Sequence, residues 1–298
     1  MTEAQTSIEA RPVGELDAED DEQPISDRIT TIRPISSAPF IDFRELWQFR
    51  ELAGVLAWRD FSVRYKQTAI GIAWVVLQPV VSTIVFTVIF GNFADFPSDD
   101  LPYPVFTYAG LLLWTYFASS LQRAGTSLVT NKALVTKVYF PRVLLPAASV
   151  VSPVIDLVFA SSVLWMLMVY FDVAPHWTIV LAPLFIALTA MVALGVGLWL
   201  AAVNVRYRDV PYVIPFLLQT WMFLSPVLYQ PTNLPERLQW VYSLNPMNGA
   251  ILGFRWALIG STPPTWTQIA ISVGASALLL AVGLMFFKRS EPRFADTM

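Results

Sequence analysis

Apolar runs of membrane length alternate with short polar breaks through most of this chain. A helix crosses the roughly 30 Å hydrocarbon layer with about 17–25 residues, because each residue rises about 1.5 Å. Six windows fit: 71–93, 105–122, 143–171, 179–203, 212–229 and 266–287. The third carries a single charge, Asp156, near its middle. The pattern predicts an all-α integral membrane protein with six transmembrane helices.

The stretch before the first window has a different period. Taken as a helix, Leu46, Phe49, Leu52, Ala53, Leu56 and Val63 fall within one broad face at about 100° per residue. Asp60 interrupts that face, Arg59 sits at its margin, and Arg50, Glu51 and Ser62 lie elsewhere. Trp47 and Trp58 suit a headgroup layer, where an indole is half wet. This predicts an N-terminal amphipathic interface helix within residues 39–70, on the inner leaflet. It joins the six-span domain, 71–288, without a linker. Two roles stay open for it: a basic anchor that orients the first span, or a docking element.

The fifth connection, 230–265, is apolar for a loop. Residues 233–242 read as a short helix. Asn245 and Pro246 can cap and start another, since Asn is a good N-cap and Pro fits the first helical position. Gly260 can end it. Ile251, Leu252, Phe254, Trp256, Leu258 and Ile259 surround that helix with apolar side chains. Short re-entrant outer helices between spans five and six would satisfy both backbone and side chains. They can serve as an outer gate or as a structural lid.

Composition agrees with a membrane protein. Of 298 residues 55% are hydrophobic and 14% charged, against about 25% charged in soluble domains. The net charge of −3 misleads, because much of the acid sits in Glu15–Glu22. Residues 1–38 are expected to form a disordered acidic tail, without the layout of a signal peptide. With no Cys, there is neither a disulfide framework nor a thiolate metal site.

Charge in the connections assigns sides. Arg44, Arg50, Arg59, Arg64 and Lys66 precede the first span. The second connection holds Arg123, Lys132, Lys137 and Arg142, the fourth Arg206 and Arg208, and the C-terminal tail, 289–298, follows Lys288 with Arg289 and Arg293. The first and third connections have no Lys or Arg, and the fifth has only Arg237 and Arg255. Both termini are therefore expected in the cytoplasm.

Several chemistries lack their residues. No G-x-x-x-x-G-K-[ST] occurs, so the chain has no P-loop for ATP. His176 is the single histidine, and neither H-E-x-x-H nor G-x-S-x-G is present. A membrane transferase would need clustered acids or a His at one face. Asp156 is a functional hypothesis by default, because an unpaired charge inside a span is costly. The alternative is that it partners an Arg or a helix end near the cytoplasmic face. A secondary transporter would show inverted repeats and several intramembrane polar groups.

Many short stretches, in order, resemble one known family. They are Arg44-Glu-Leu-Trp-Gln-Phe-Arg-Glu-Leu52, Trp58-Arg-Asp60, Arg64-Tyr-Lys-Gln67, and Gly71, Trp74, Gln78 and Pro79. Thr136-Lys-Val-Tyr-Phe-Pro-Arg142, Asn204-Val-Arg-Tyr-Arg-Asp209, Ser225-Pro226, Leu244-Asn-Pro-Met247 and Gly253-Phe-Arg255 follow. The chain is similar to the membrane subunit of ABC-2 type polysaccharide exporters, such as O-antigen and teichoic acid exporters. The resemblance implies a homodimeric permease in the bacterial cytoplasmic (inner) membrane, surrounded by lipid. Two copies of an ABC ATP-binding subunit would bind the ATP and magnesium, with no cofactor or metal in this chain and no nucleic acid partner. The substrate would be a polysaccharide on a polyprenyl diphosphate lipid. The anionic headgroup would meet Arg59, Arg64, Lys66, Arg206 and Arg208. Asn131, Lys132, Lys137, Tyr139, Phe140 and Arg142 would match the coupling helix that fits the ATPase. Leu238, Trp240, Tyr242, Asn245, Pro246, Phe254 and Arg255 would match the outer gate. The runner-up keeps this architecture and exports a drug, lipid or other small amphiphile.

Overall fold

The computed structural model describes residues 47–66, 71, 73–94, 96–230 and 242–294. Every regular element among these residues is helical. In chain order they are α1 (Arg50–Tyr65), α2 (Ala73–Phe86), α3 (Tyr103–Thr130), α4 (Lys132–Lys137), α5 (Leu144–Val151), α6 (Pro153–Tyr170), α7 (Ala182–Arg206), α8 (Val210–Phe223), α9 (Pro246–Ile259) and α10 (Trp266–Ser290). A π-helical turn, Thr87–Phe93, prolongs α2, and a 3₁₀ turn, Trp177–Leu181, leads into α7.

Among the described residues four stretches are long and apolar enough to cross a membrane: Ala73–Phe93, Leu144–Tyr170, Trp177–Arg206 and Trp266–Arg293. The other two expected spans differ for physical reasons. Helix α3 is 28 residues long, ample for a crossing at about 1.5 Å per residue. It lies at the centre, buried along nearly its whole length from Tyr103 to Leu128. Facing protein rather than lipid, it carries Ser, Thr, Gly and Tyr where a lipid-facing helix carries aliphatic residues. Helix α8 has 14 residues and stops at Phe223, short of the expected 229. Pro226 disfavours helical backbone at Ser225, and the chain turns through residues 224–229.

Close approach of backbones holds the bundle together. A Cβ on Gly283 would lie 2.1 Å from the Gly195 carbonyl oxygen, and one on Gly197 would lie 2.5 Å from the Ala124 Cβ. Small residues at such crossings are how membrane helices gain packing without a hydrophobic driving force.

The basic connections gather at one end. Leu56 and Ala57 of α1, Val135, Phe140, Leu144, Leu198, Ala202, Phe287 and Phe294 share one apolar cluster there. Arg142 donates to the Glu291 carbonyl (2.7 Å). At the other end, Asp99 accepts from the Thr262 amide (2.9 Å) and hydroxyl (2.8 Å). The His176 amide reaches the Leu258 carbonyl (3.2 Å).

Candidate functional site

Helix α1 packs its inner face on α5. Leu56 and Ala57 are buried, and Phe49, Leu52 and Ala53 are half-covered by the same cluster. Leu46 lies outside the described residues. Val63 corrects the sequence reading: it is 69% exposed. Its angle on the helix is the expected one, but no side chain among the described residues fills the space beneath it. A cavity of about 460 Å³ opens there, between α1, the end of α3 and Ser149 of α5. Asp60, Val63 and Arg64 face it at i, i+3, i+4 spacing. Arg123, Ser127 and Thr130 face it from α3 at i, i+4, i+7. The interruption of the apolar face by Asp60 marks this change from packing to cavity.

The cations around the cavity have different partners. Arg59 donates through Nη2 to Asp60 (2.9 Å) and to the Asn131 side-chain oxygen (2.6 Å). Arg64 forms an ion pair with Asp156 and donates to the Ser152 hydroxyl (3.3 Å). The Tyr65 hydroxyl adds a bond to Asp156 (2.9 Å). Burial raises the Tyr65 phenol above its ordinary value, so it remains a donor. Asp156 is thus the partner of an Arg. Arg123 makes no side-chain hydrogen bond or ion pair among the described residues, and its Nε is buried.

The structure does not unite all the cations expected at the headgroup. Arg59 and Arg64 line the cavity; Lys66 is exposed at the end of α1, Arg206 is exposed in the last turn of α7, and Arg208 is exposed just after it. Arg206 stacks on Tyr207 at 5.5 Å. Sequence reading counted Arg123 only as a connection charge. The stripe Arg123, Thr126, Ser127, Thr130 on one continued helix was the signal that could have found it.

The second connection divides into anchors and an outer surface. Val135 and Phe140 are buried, whereas Lys132, Lys137 and Tyr139 are exposed, Tyr139 by 70%. Phe140 therefore holds the segment rather than presenting a surface. Asn131 ends α3 and donates to the Ser127 carbonyl (2.9 Å). Arg142 lies over the Phe294 ring (5.9 Å).

At the opposite end the expected caps form. Asn245 accepts from the Met247 amide (3.0 Å), Pro246 opens α9, and Gly260 closes it with φ +67°. All of α9 except Trp256 is buried. Asn245 also accepts from Trp221 Nε1 (2.9 Å) and donates to the Leu224 carbonyl (2.9 Å). Arg255 donates to the carbonyls of Phe106 (3.1 Å), Pro226 (3.1 Å) and Val227 (2.9 Å), with its guanidinium 3.7 Å above the Phe106 ring. Tyr103 takes the Leu228 carbonyl (2.8 Å). The carbonyls freed where α8 breaks are thereby satisfied by side chains, as buried backbone requires. Tyr242 and Phe254 are buried nearby. Leu238, Trp240 and most of the short helix expected over 233–242 lie outside the described residues, as do the acidic tail and the join between α1 and the first span.

The ABC-2 type transporter family matches residues 51–259, from α1 to the end of α9. The chain belongs to this family. Among its relatives, the "O-antigen export system permease protein RfbA" of Myxococcus xanthus is 27% identical over 258 residues, covering 86% of this chain and 98% of the relative. A Klebsiella pneumoniae protein of the same name is 25% identical, with 83% and 95% covered. The "Polysialic acid transport protein KpsM" of Escherichia coli is 24% identical, with 78% and 91% covered. Family membership and four apolar helices make the chain a multi-pass membrane permease.

Proposed function

We propose that this chain is the permease subunit of an ATP-driven exporter of polyprenyl-diphosphate-linked polysaccharide in the bacterial cytoplasmic membrane. The observation that carries the reading is the match to polysaccharide export permeases over nearly their whole length. Those names favour polysaccharide over the drug or small-amphiphile alternative. Helices α3 and α8 complete six spans, both termini are cytoplasmic, and α9 dips into the outer leaflet as part of an outer gate with Tyr242, Asn245 and Arg255. The chain works as a homodimer.

Force would come from elsewhere, because the sequence carries no P-loop for ATP. Two copies of a separate ATPase carry the nucleotide and magnesium. They press on Lys132, Lys137 and Tyr139, which Val135 and Phe140 anchor to the bundle. Asn131 and Arg142 pass movement to α1 and to the C-terminal end. The lipid headgroup approaches along Arg59, Arg64 and Lys66, with Arg206 and Arg208 adding to the basic surface.

The deciding experiment depletes the protein and follows lipid-linked glycan. Accumulation at the cytoplasmic leaflet, with loss of surface glycan, is expected. Unchanged surface glycan with no intracellular accumulation overturns the polysaccharide reading.

A further inference from the structure

We infer that the cavity between α1, α3 and α5 is a binding site for a phosphate-class anion, with Arg123 as its main contact. The inference rests on the permease reading only for the source of the anion. Its physical basis is the wall itself. Three guanidiniums, of Arg59, Arg64 and Arg123, meet one carboxylate, Asp60, on that wall. Asp60 is taken by Arg59, and Asp156 by Arg64 and Tyr65. Among the described residues Arg123 makes no side-chain hydrogen bond or ion pair, and its Nε is buried. A guanidinium partly withdrawn from water without an ion-pair partner carries part of that desolvation cost. A mobile anion in the adjoining space would relieve that cost.

The size and chemistry select the class. About 460 Å³ lies within the roughly 300–1,000 Å³ of ligand pockets and far exceeds a single halide. Guanidinium forks match phosphate oxygens two at a time. Hydroxyls of Thr130 and Ser149 stand on the same wall and can donate to further oxygens. The Arg59 bond to Asn131 crosses from α1 to the junction of α3 and α4. An anion drawing Arg59 inward would compete with that bond, so occupancy would be felt in the connection that leads to α4.

The test uses the purified full chain in nanodiscs at fixed ionic strength. Two probes separate the sources: inorganic pyrophosphate, and polyprenyl diphosphate in the bilayer, each read by thermal shift and by titration. Wild type is expected to be stabilised by one or both. A shift with pyrophosphate identifies a site open to free phosphates; a shift with the lipid alone identifies a headgroup site. Arg123→Gln should weaken binding about tenfold or more, the size of one charge-assisted contact, and Arg123→Lys should recover part of it. Thr130→Leu, which narrows the cavity without touching an arginine, should weaken binding while ligand-free melting stays unchanged. No shift with either probe overturns the site, as does equal affinity in Arg123→Gln and wild type. Equal stabilisation by sulfate at the same ionic strength overturns phosphate selectivity. Export can persist with an empty site, or the site can bind while the depletion experiment fails, so the two readings fail separately.

Discussion

Arg255 is 1% exposed, and its charge is received by three backbone carbonyls and an aromatic face. Those carbonyls belong to α3 and to the turn after α8, so a single side chain joins three segments. Removing it leaves buried acceptors orphaned, at about 1–3 kcal/mol each. Arg255→Met is expected to cost about 3 kcal/mol or more in denaturant unfolding in detergent, and Arg255→Lys to recover only part, lacking the fork. An unchanged midpoint for Arg255→Met would remove this account of the outer hub. Asp156 is a second case. With Arg64 and Asp156 side chains only 17% and 14% exposed, breaking the pair strands a charge. A double-mutant cycle with Arg64→Ala and Asp156→Ala should show coupling of about 1–3 kcal/mol. Additive losses would instead mean that each residue acts alone.

At the scale of elements, the ends of α9 were legible and neighbours were not. Asn245, Pro246 and Gly260 are local rules of backbone geometry, and α9 begins and ends where they say. The apolar face of α1 was legible as far as Leu56, while the cavity under Val63 depends on where α5 and α3 run. The early end of α8 departs from the expected span to 229, although Ser225-Pro226 carries the local reason for it, and which side chains take its carbonyls depends on residues as distant as Tyr103. Arg123 was hidden because a charge in a connection looks solvated until the fold encloses it. Helix crossings carry their own prediction. Gly283→Ala forces α7 and α10 apart and should cost about 1–3 kcal/mol by overpacking. Gly274, on the same helix, has nothing within 4 Å of an added Cβ. Gly274→Ala should be neutral or gain up to about 1 kcal/mol of helix propensity. Opposite signs in thermal unfolding would establish that position, rather than glycine itself, sets the cost; equal losses would refute it.

Across the whole molecule, hydrogen bonds sort the connections into two sets. Asp99 with Thr262, and His176 with Leu258, tie the poorly basic connections at one end. Phe140, Phe287 and Phe294, with Arg142 on the Glu291 carbonyl, tie the basic ones at the other. A chain that passes from Asp99 to Asn131 and from Arg208 to Tyr229 must traverse the bundle on both occasions. Under the proposed topology α3 and α8 are then crossings, although α3 is long without being a strongly apolar stretch and α8 is apolar but short. The absence of cysteine makes this directly testable. Tyr139→Cys and Trp177→Cys are exposed positions, 70% and 79% in the native residues, and each introduces the chain's single thiol. An impermeant maleimide added to intact cells should label Trp177→Cys at once and Tyr139→Cys only after permeabilisation, with Arg208→Cys behaving like Tyr139→Cys. Positive charge near the inner leaflet and its scarcity outside require that order. Labelling of Tyr139→Cys in intact cells would invert the molecule. Labelling of Trp177→Cys and Arg208→Cys on the same side would break the six-span count at α7.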